Sequence, residues 1–120
     1  MAAYYEEDGL FDDDPNMTKV KTWCLTIRIK KNDTLHGKRL YNVLLDFMMG
    51  AGICGATVIS GVDGFGRRGK STLRIEGISI NYPLVIEVID EQSKLDPLLP
   101  QIKRMVGDNG LVTIQEVYAL

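Results

Sequence analysis

Glycines at 61, 64, 66 and 69 share the run Gly61-Val62-Asp63-Gly64-Phe65-Gly66-Arg67-Arg68-Gly69-Lys70 with the cations Arg67, Arg68 and Lys70. Glycine carries no Cβ, so its backbone N–H can approach a ligand closely and positive φ is accessible. Arginine and lysine supply charge-assisted donors suited to phosphate. A short strand pattern, Ala56 to Val62, leads directly into this run. One reading is an anion-binding loop at a strand end; the other is a glycine-rich hairpin whose basic tip is solvated.

Gly64 to Ser71 also fits the P-loop expression G-x-x-x-x-G-K-[ST]. That chemistry needs a helix opening at the Lys-Ser pair, with its N-terminus facing the phosphates. Here the following residues read as extended, with Gly77 and Pro83 close behind, so the motif lacks its context. Other chemistries are excluded more simply. His36 is the only histidine, which removes a histidine-rich metal site, and no nucleophile–base pair is recognisable. Cys24 and Cys54 have no CxxC spacing and sit in apolar, strand-like surroundings, so buried reduced thiols are expected. Thr57, Ile59, Val85 and Glu87 offer no stacking platform for RNA. The expected protein is not an enzyme and does not bind nucleic acid. Glu87 is a carboxylate among apolar strand residues and calls for Arg28, Arg74 or a ligand group as partner.

The elements that position these residues follow from periodicity. From Val20 to Lys31 the residues Trp23, Leu25, Ile27 and Ile29 alternate with polar ones, which predicts a strand with one apolar face. Leu40, Val43, Leu44, Phe47 and Met48 form a helical stripe within 38–49, with Gly50 and Gly52 as stops. Residues 71–80 read as extended with an interruption at Gly77, and Pro83 to Asp90 as a strong strand. Leu95, Leu98, Leu99, Ile102, Met105 and Val106 make a second stripe, in which Pro97 and Pro100 predict a late start or a kink. Gly107 to Gly110 is a tight loop before a final strand, Leu111 to Tyr118. The order β-α-β-β-α-β predicts an α+β, ferredoxin-like fold, an antiparallel sheet with two helices on one face. The other face keeps Val20, Cys24, Val85 and Ile89, which predicts burial in a homo-oligomer.

Length and composition suit a single ordinary globular domain of 120 residues. No apolar run is long enough for a bilayer span, and the N-terminus lacks the pattern of a secretory signal, so a cytoplasmic location is expected. Residues 1–18 hold Glu6, Glu7, Asp8, Asp12, Asp13 and Asp14 and no cation, which suggests an acidic flexible tail before a domain at 19–120. With those six acids set aside, ten acids face 14 bases, leaving the remainder at about +4.

Gly55-Ala56-Thr57-Val58, Gly64-Phe65-Gly66-Arg67 and Val85-Ile86-Glu87-Val88 resemble the PII signal-transduction superfamily. Gly37-Lys38-Arg39-Leu40-Tyr41, Gly52-Ile53, Tyr82-Pro83 and Gly110-Leu111-Val112-Thr113 are similar to its short PII-like branch, long filed as a conserved family of unknown function. The resemblance runs in order over residues 19–118. It implies a homotrimer that binds an adenine nucleotide in clefts between subunits and controls a transporter or enzyme through the loop 64–73. Carried over by position, Gly64, Gly66, Arg67, Arg68 and Lys70 take phosphate-contact roles. Thr57, Glu87 and Ile89 line the adenine side from the neighbouring subunit, and Gly107, Asp108 and Gly110 close over the phosphates. The loop after Gly66 is shorter than in PII proteins, and Leu111 replaces the basic residue expected after the closing glycines. The chain reads to Leu120 without the segment that adds further arginines. A mono- or diphosphate, or a cyclic nucleotide, therefore fits better than ATP. The alternative is a structural or protein-interaction trimer with no small-molecule ligand.

Overall fold

The computed structural model describes residues 17–67, 69–70, 73–75 and 78–120. The acidic segment 1–16, Arg68, and positions 71–72 and 76–77 lie outside the described residues.

Four long strands make one antiparallel sheet: β1 (Val20–Lys30), β4 (Thr57–Ser60), β9 (Pro83–Asp90) and β10 (Leu111–Ala119), in the order β10-β1-β9-β4. The expected alternation sets the faces. Leu25, Ile27 and Ile29 of β1 and Leu84, Ile86 and Val88 of β9 are buried on the side covered by helices. Against them pack Leu40, Leu44 and Met48 of helix α1 (Leu40–Gly50) and Leu95, Ile102 and Val106 from the second helical region. The fold is α+β with an antiparallel sheet and its helices on one face, as the sequence predicts.

Helix α1 opens two residues later than the stripe suggests. Lys38–Arg39 (β3) pairs instead with Thr34–Leu35 (β2), across a turn where His36 has φ 50° and Gly37 φ 79°. Two consecutive positive φ values are the geometry of a tight two-residue hairpin, and Gly37 makes it accessible. At the other end α1 continues through Gly50 and stops on Gly52, at φ 86°. Ile53 N–H then reaches back to Met48 O at 3.1 Å and Gly52 N–H to Met49 O at 3.1 Å, a Schellman closure that seats the buried Ile53 on the core.

The prolines divide the second stripe. It forms α2 (Gln92–Leu95), a 3₁₀ turn (Asp96–Leu98) with Pro97 at its start, and α3 (Leu99–Val106) with Pro100 in its first turn. A second 3₁₀ turn, Gly107–Asn109, leads to β10. The strand expected at 56–62 is shorter: Gly61 still donates its N–H to Pro83 O at 2.7 Å, but Pro83 has no N–H to return, and the ladder ends there. The extended reading of 71–80 becomes a hairpin of β7 (Leu73–Ile75) and β8 (Ile78–Asn81).

One buried charge ties the helical layer to the sheet. The Asp90 carboxylate accepts the N–H groups of Cys54 at 3.0 Å and Glu91 at 2.8 Å, and meets Lys94 Nζ at 3.4 Å. Burial raises its pKa, but those two N–H donors and the ammonium outweigh this and hold it below the usual carboxylate value. The stabilisation is present above the ordinary aspartate pKa and disappears as pH falls through the depressed folded value. Asp90→Ala is expected to cost about 1.5–3 kcal/mol at pH 7. The wild-type advantage should vanish in chemical denaturation at strongly acidic pH; an advantage unchanged there would contradict this role.

Candidate functional site

At one end of the sheet an open cleft of about 640 Å³ lies between the last turn of β1, the first turn of β9, the loop 61–67 and the turn 107–110. Its size is that of a small-molecule site. Arg28, Lys30, Arg67 and Lys103 line it together with Asp63 and Asp108, and Gly64, Gly66 and Gly110 bring backbone into its wall. The basic run is folded as a ribbon, β5 (Phe65–Gly66) against β6 (Gly69–Lys70). No helix starts at Lys70, which disposes of the P-loop match.

Two contacts anchor that ribbon. Asp63 Oδ1 accepts Gly64 N–H at 2.8 Å, and Lys30 Nζ donates to Lys70 O at 3.1 Å. The Lys70 ammonium lies 3.9 Å from Asp63 Oδ2 in an exposed pair. Opposite, Lys103 Nζ donates to Gly107 O at 3.3 Å and closes the end of α3. Gly110 has no room for a side chain. A Cβ there would stand 2.7 Å from Arg28 O and 2.6 Å from Val106 Cγ1, so glycine lets the 107–110 turn dock on β1.

The predicted site residues separate into groups. Gly64, Gly66, Arg67, Asp108 and Gly110 line the cleft. Gly107, at φ 66°, shapes the turn but faces a second hollow beside Asn32 to Thr34. Lys70 sits on β6, directed to Asp63, and Arg68 lies outside the described residues. Thr57, Glu87 and Ile89 do not line the cleft; they lie further along the same helix-free face that Arg28, Val85 and Leu111 bring to its wall, and there Thr57 pairs directly with Glu87. Glu87 is exposed and, among the described residues, unpaired; the register sets Arg28 opposite Val85 rather than opposite Glu87. Arg28, Lys30 and Lys103 are cleft residues that periodicity did not select.

That helix-free face carries exposed apolar residues beside Thr57 and Glu87. Ile59 and Ile89 each retain 48% of their accessible surface and Leu111 54%, and the register puts them on one side with Val85. The cysteines depart from expectation. Cys24 is half-buried, and Cys54 is exposed in the α1–β4 loop, its Sγ 3.4 Å from Lys94 Nζ. Cys54 escapes the core because it follows the Schellman turn, which directs Ile53 inward instead. Among the described residues there is no cluster suited to a metal, and no helix is long and apolar enough to cross a membrane.

The sheet order, the paired helices on one face and the basic ribbon at a strand end define a PII-like fold. CPII, a nitrogen regulatory PII-like protein from Thiomonas intermedia K12 whose structure holds ADP, AMP and bicarbonate, superposes with a TM-score of 0.67. The match is at 16% identity and covers 85% of this chain and 91% of that one. The DUF190 family model, described as an uncharacterized ACR, matches residues 22–119, and the chain belongs to that family. Relatives include the UPF0166 protein MJ1524 of Methanocaldococcus jannaschii, 30% identical over 99 residues (82% of this chain, 92% of the relative). The UPF0166 protein of Aquifex aeolicus is 31% identical over 102 residues (84% and 95%).

Proposed function

We propose that this chain is the subunit of a cytoplasmic homotrimeric regulator. An adenine nucleotide enters between subunits, and the ribbon loop 64–73 reports its presence to a transporter or enzyme. The observation that carries the reading is the division of the site. Residues suited to phosphate gather in one cleft, while Thr57, Glu87 and Ile89 lie outside it, further along the exposed helix-free face of the sheet. A neighbouring copy packed on that face brings its adenine side to the cleft of the first.

The nucleotides in the structure of CPII support the ligand class. A mono- or diphosphate, or a cyclic nucleotide, suits the cation set better than ATP, because Leu111 supplies no charge. The mechanism makes no covalent bond. Phosphate bound by Arg67, Arg68 and the glycine amides favours one arrangement of the loop, and its loss frees those cations for a partner. The domain is residues 19–120, with the acidic segment 1–18 as an appended tail.

Arg67→Ala combined with Arg68→Ala is expected to weaken ADP binding by at least about a hundredfold, the scale of two lost charge-assisted contacts, without altering the assembly. Calorimetry with ADP and AMP checks this, beside a thermal-shift panel in which a ligand bound only by the native state must raise the midpoint. Unchanged affinity in the double variant contradicts the site. No shift with any adenine nucleotide contradicts the ligand class and favours a trimer that only docks proteins.

A further inference from the structure

We propose that Arg28 is a second guanidinium ligand for phosphate in the cleft, supplying from β1 the charge that Leu111 does not. The inference rests on the nucleotide reading above and adds a residue to it.

The register fixes its place. Arg28 stands opposite Leu111 on β10 and opposite Val85 on β9, and all three line the cleft. A cation at 28 therefore occupies the same end of the same sheet face as a cation at 111 would, one strand over. Its neighbours are engaged differently. Lys30 donates to Lys70 O at 3.1 Å and Lys103 to Gly107 O at 3.3 Å, so both lysines hold backbone that shapes the cleft. Arg28 is exposed, and its side chain has no hydrogen bond or ion pair among the described residues.

Arg67, in the loop that follows β4, lines the same cleft. Two planar forks approaching from β1 and from the ribbon suit the several oxygens of a diphosphate, each able to take a bidentate contact. Val85 and Leu111 stand beside Arg28 across the register, so aliphatic surface flanks it on both neighbouring strands.

The test is calorimetry with ADP and with adenosine on the full chain and its variants. Arg28→Ala is expected to weaken ADP binding roughly tenfold to a hundredfold while leaving adenosine affinity and the unfolding midpoint unchanged. Leu111→Lys added to Arg28→Ala should recover much of the loss, because the new ammonium enters from the adjacent strand. An Arg28→Ala protein that binds ADP as tightly as wild type, while Arg67→Ala has lost affinity, overturns the assignment of Arg28 alone. Equal losses for ADP and adenosine also overturn it, since a phosphate ligand cannot act on adenosine. A wild-type chain that binds no ADP overturns the nucleotide reading, and this inference with it.

Discussion

Gly110→Ala is expected to destabilise the protein by about 3 kcal/mol or more, at the upper end of overpacking. The backbone at 110 has φ −117° and ψ −176°, an extended conformation that alanine adopts freely, so the effect is one of space. The new methyl meets Arg28 O and Val106 Cγ1 at 2.7 and 2.6 Å. One of these is the backbone of the central strand and the other a buried side chain, so neither yields cheaply. A fall in the unfolding midpoint of roughly 10–20 °C follows for a domain of this size. Relief by lifting the 107–110 turn off β1 would open the cleft and weaken ADP binding at temperatures where the chain is still folded. Gly107→Ala serves as a comparison. It has open space around it, but its φ of 66° and ψ of −155° belong to a region essentially reserved for glycine, so about 1–3 kcal/mol is expected there. A midpoint unchanged in Gly110→Ala would mean that the turn does not seat on β1 as described.

Ile59→Asp is expected to convert the proposed trimer, about 40 kDa from three copies of 13.4 kDa, into single chains. In a lone chain Ile59 keeps 48% of its surface in water, so aspartate there disturbs little of the fold. In a trimer sealed on the helix-free face, the same carboxylate is buried without a partner, and an unpaired buried charge costs several kcal/mol. Light scattering reads the outcome, with circular dichroism showing that the subunit remains folded. A trimer that survives the substitution would mean that this face is not the interface, and a wild-type chain that scatters as a monomer would end the model of shared sites.

The parts of the fold legible in the sequence are those where one periodicity runs long enough. Leu25, Ile27 and Ile29, and again Leu84, Ile86 and Val88, show a period of two that only a strand satisfies, and the structure buries all six on the helix side. The stripe from Leu40 to Met48 likewise predicts its helix, and Pro97 and Pro100 predict the break in the next. The short ribbons are illegible by the same logic. Thr34–Leu35 with Lys38–Arg39, and Phe65–Gly66 with Gly69–Lys70, pair two residues with two, too few to establish a period. At the cleft, glycines and cations close in sequence were visible, whereas Arg28 and Lys103 were not. Alternation says only that Arg28 faces away from the helices; its position beside Leu111 depends on strand register, a tertiary property.

Subunit mixing tests the shared site most directly. One variant carries Arg67→Ala and Arg68→Ala, and the other Thr57→Ala and Glu87→Ala; each alone should bind ADP negligibly, because every site lacks one wall. Unfolded together in equal amounts and reassembled, the population should regain roughly a quarter of the wild-type sites, the fraction of junctions at which two intact walls meet. Mixtures as inert as their parents, or full ADP affinity in the Thr57/Glu87 variant by itself, would contradict a nucleotide held between subunits.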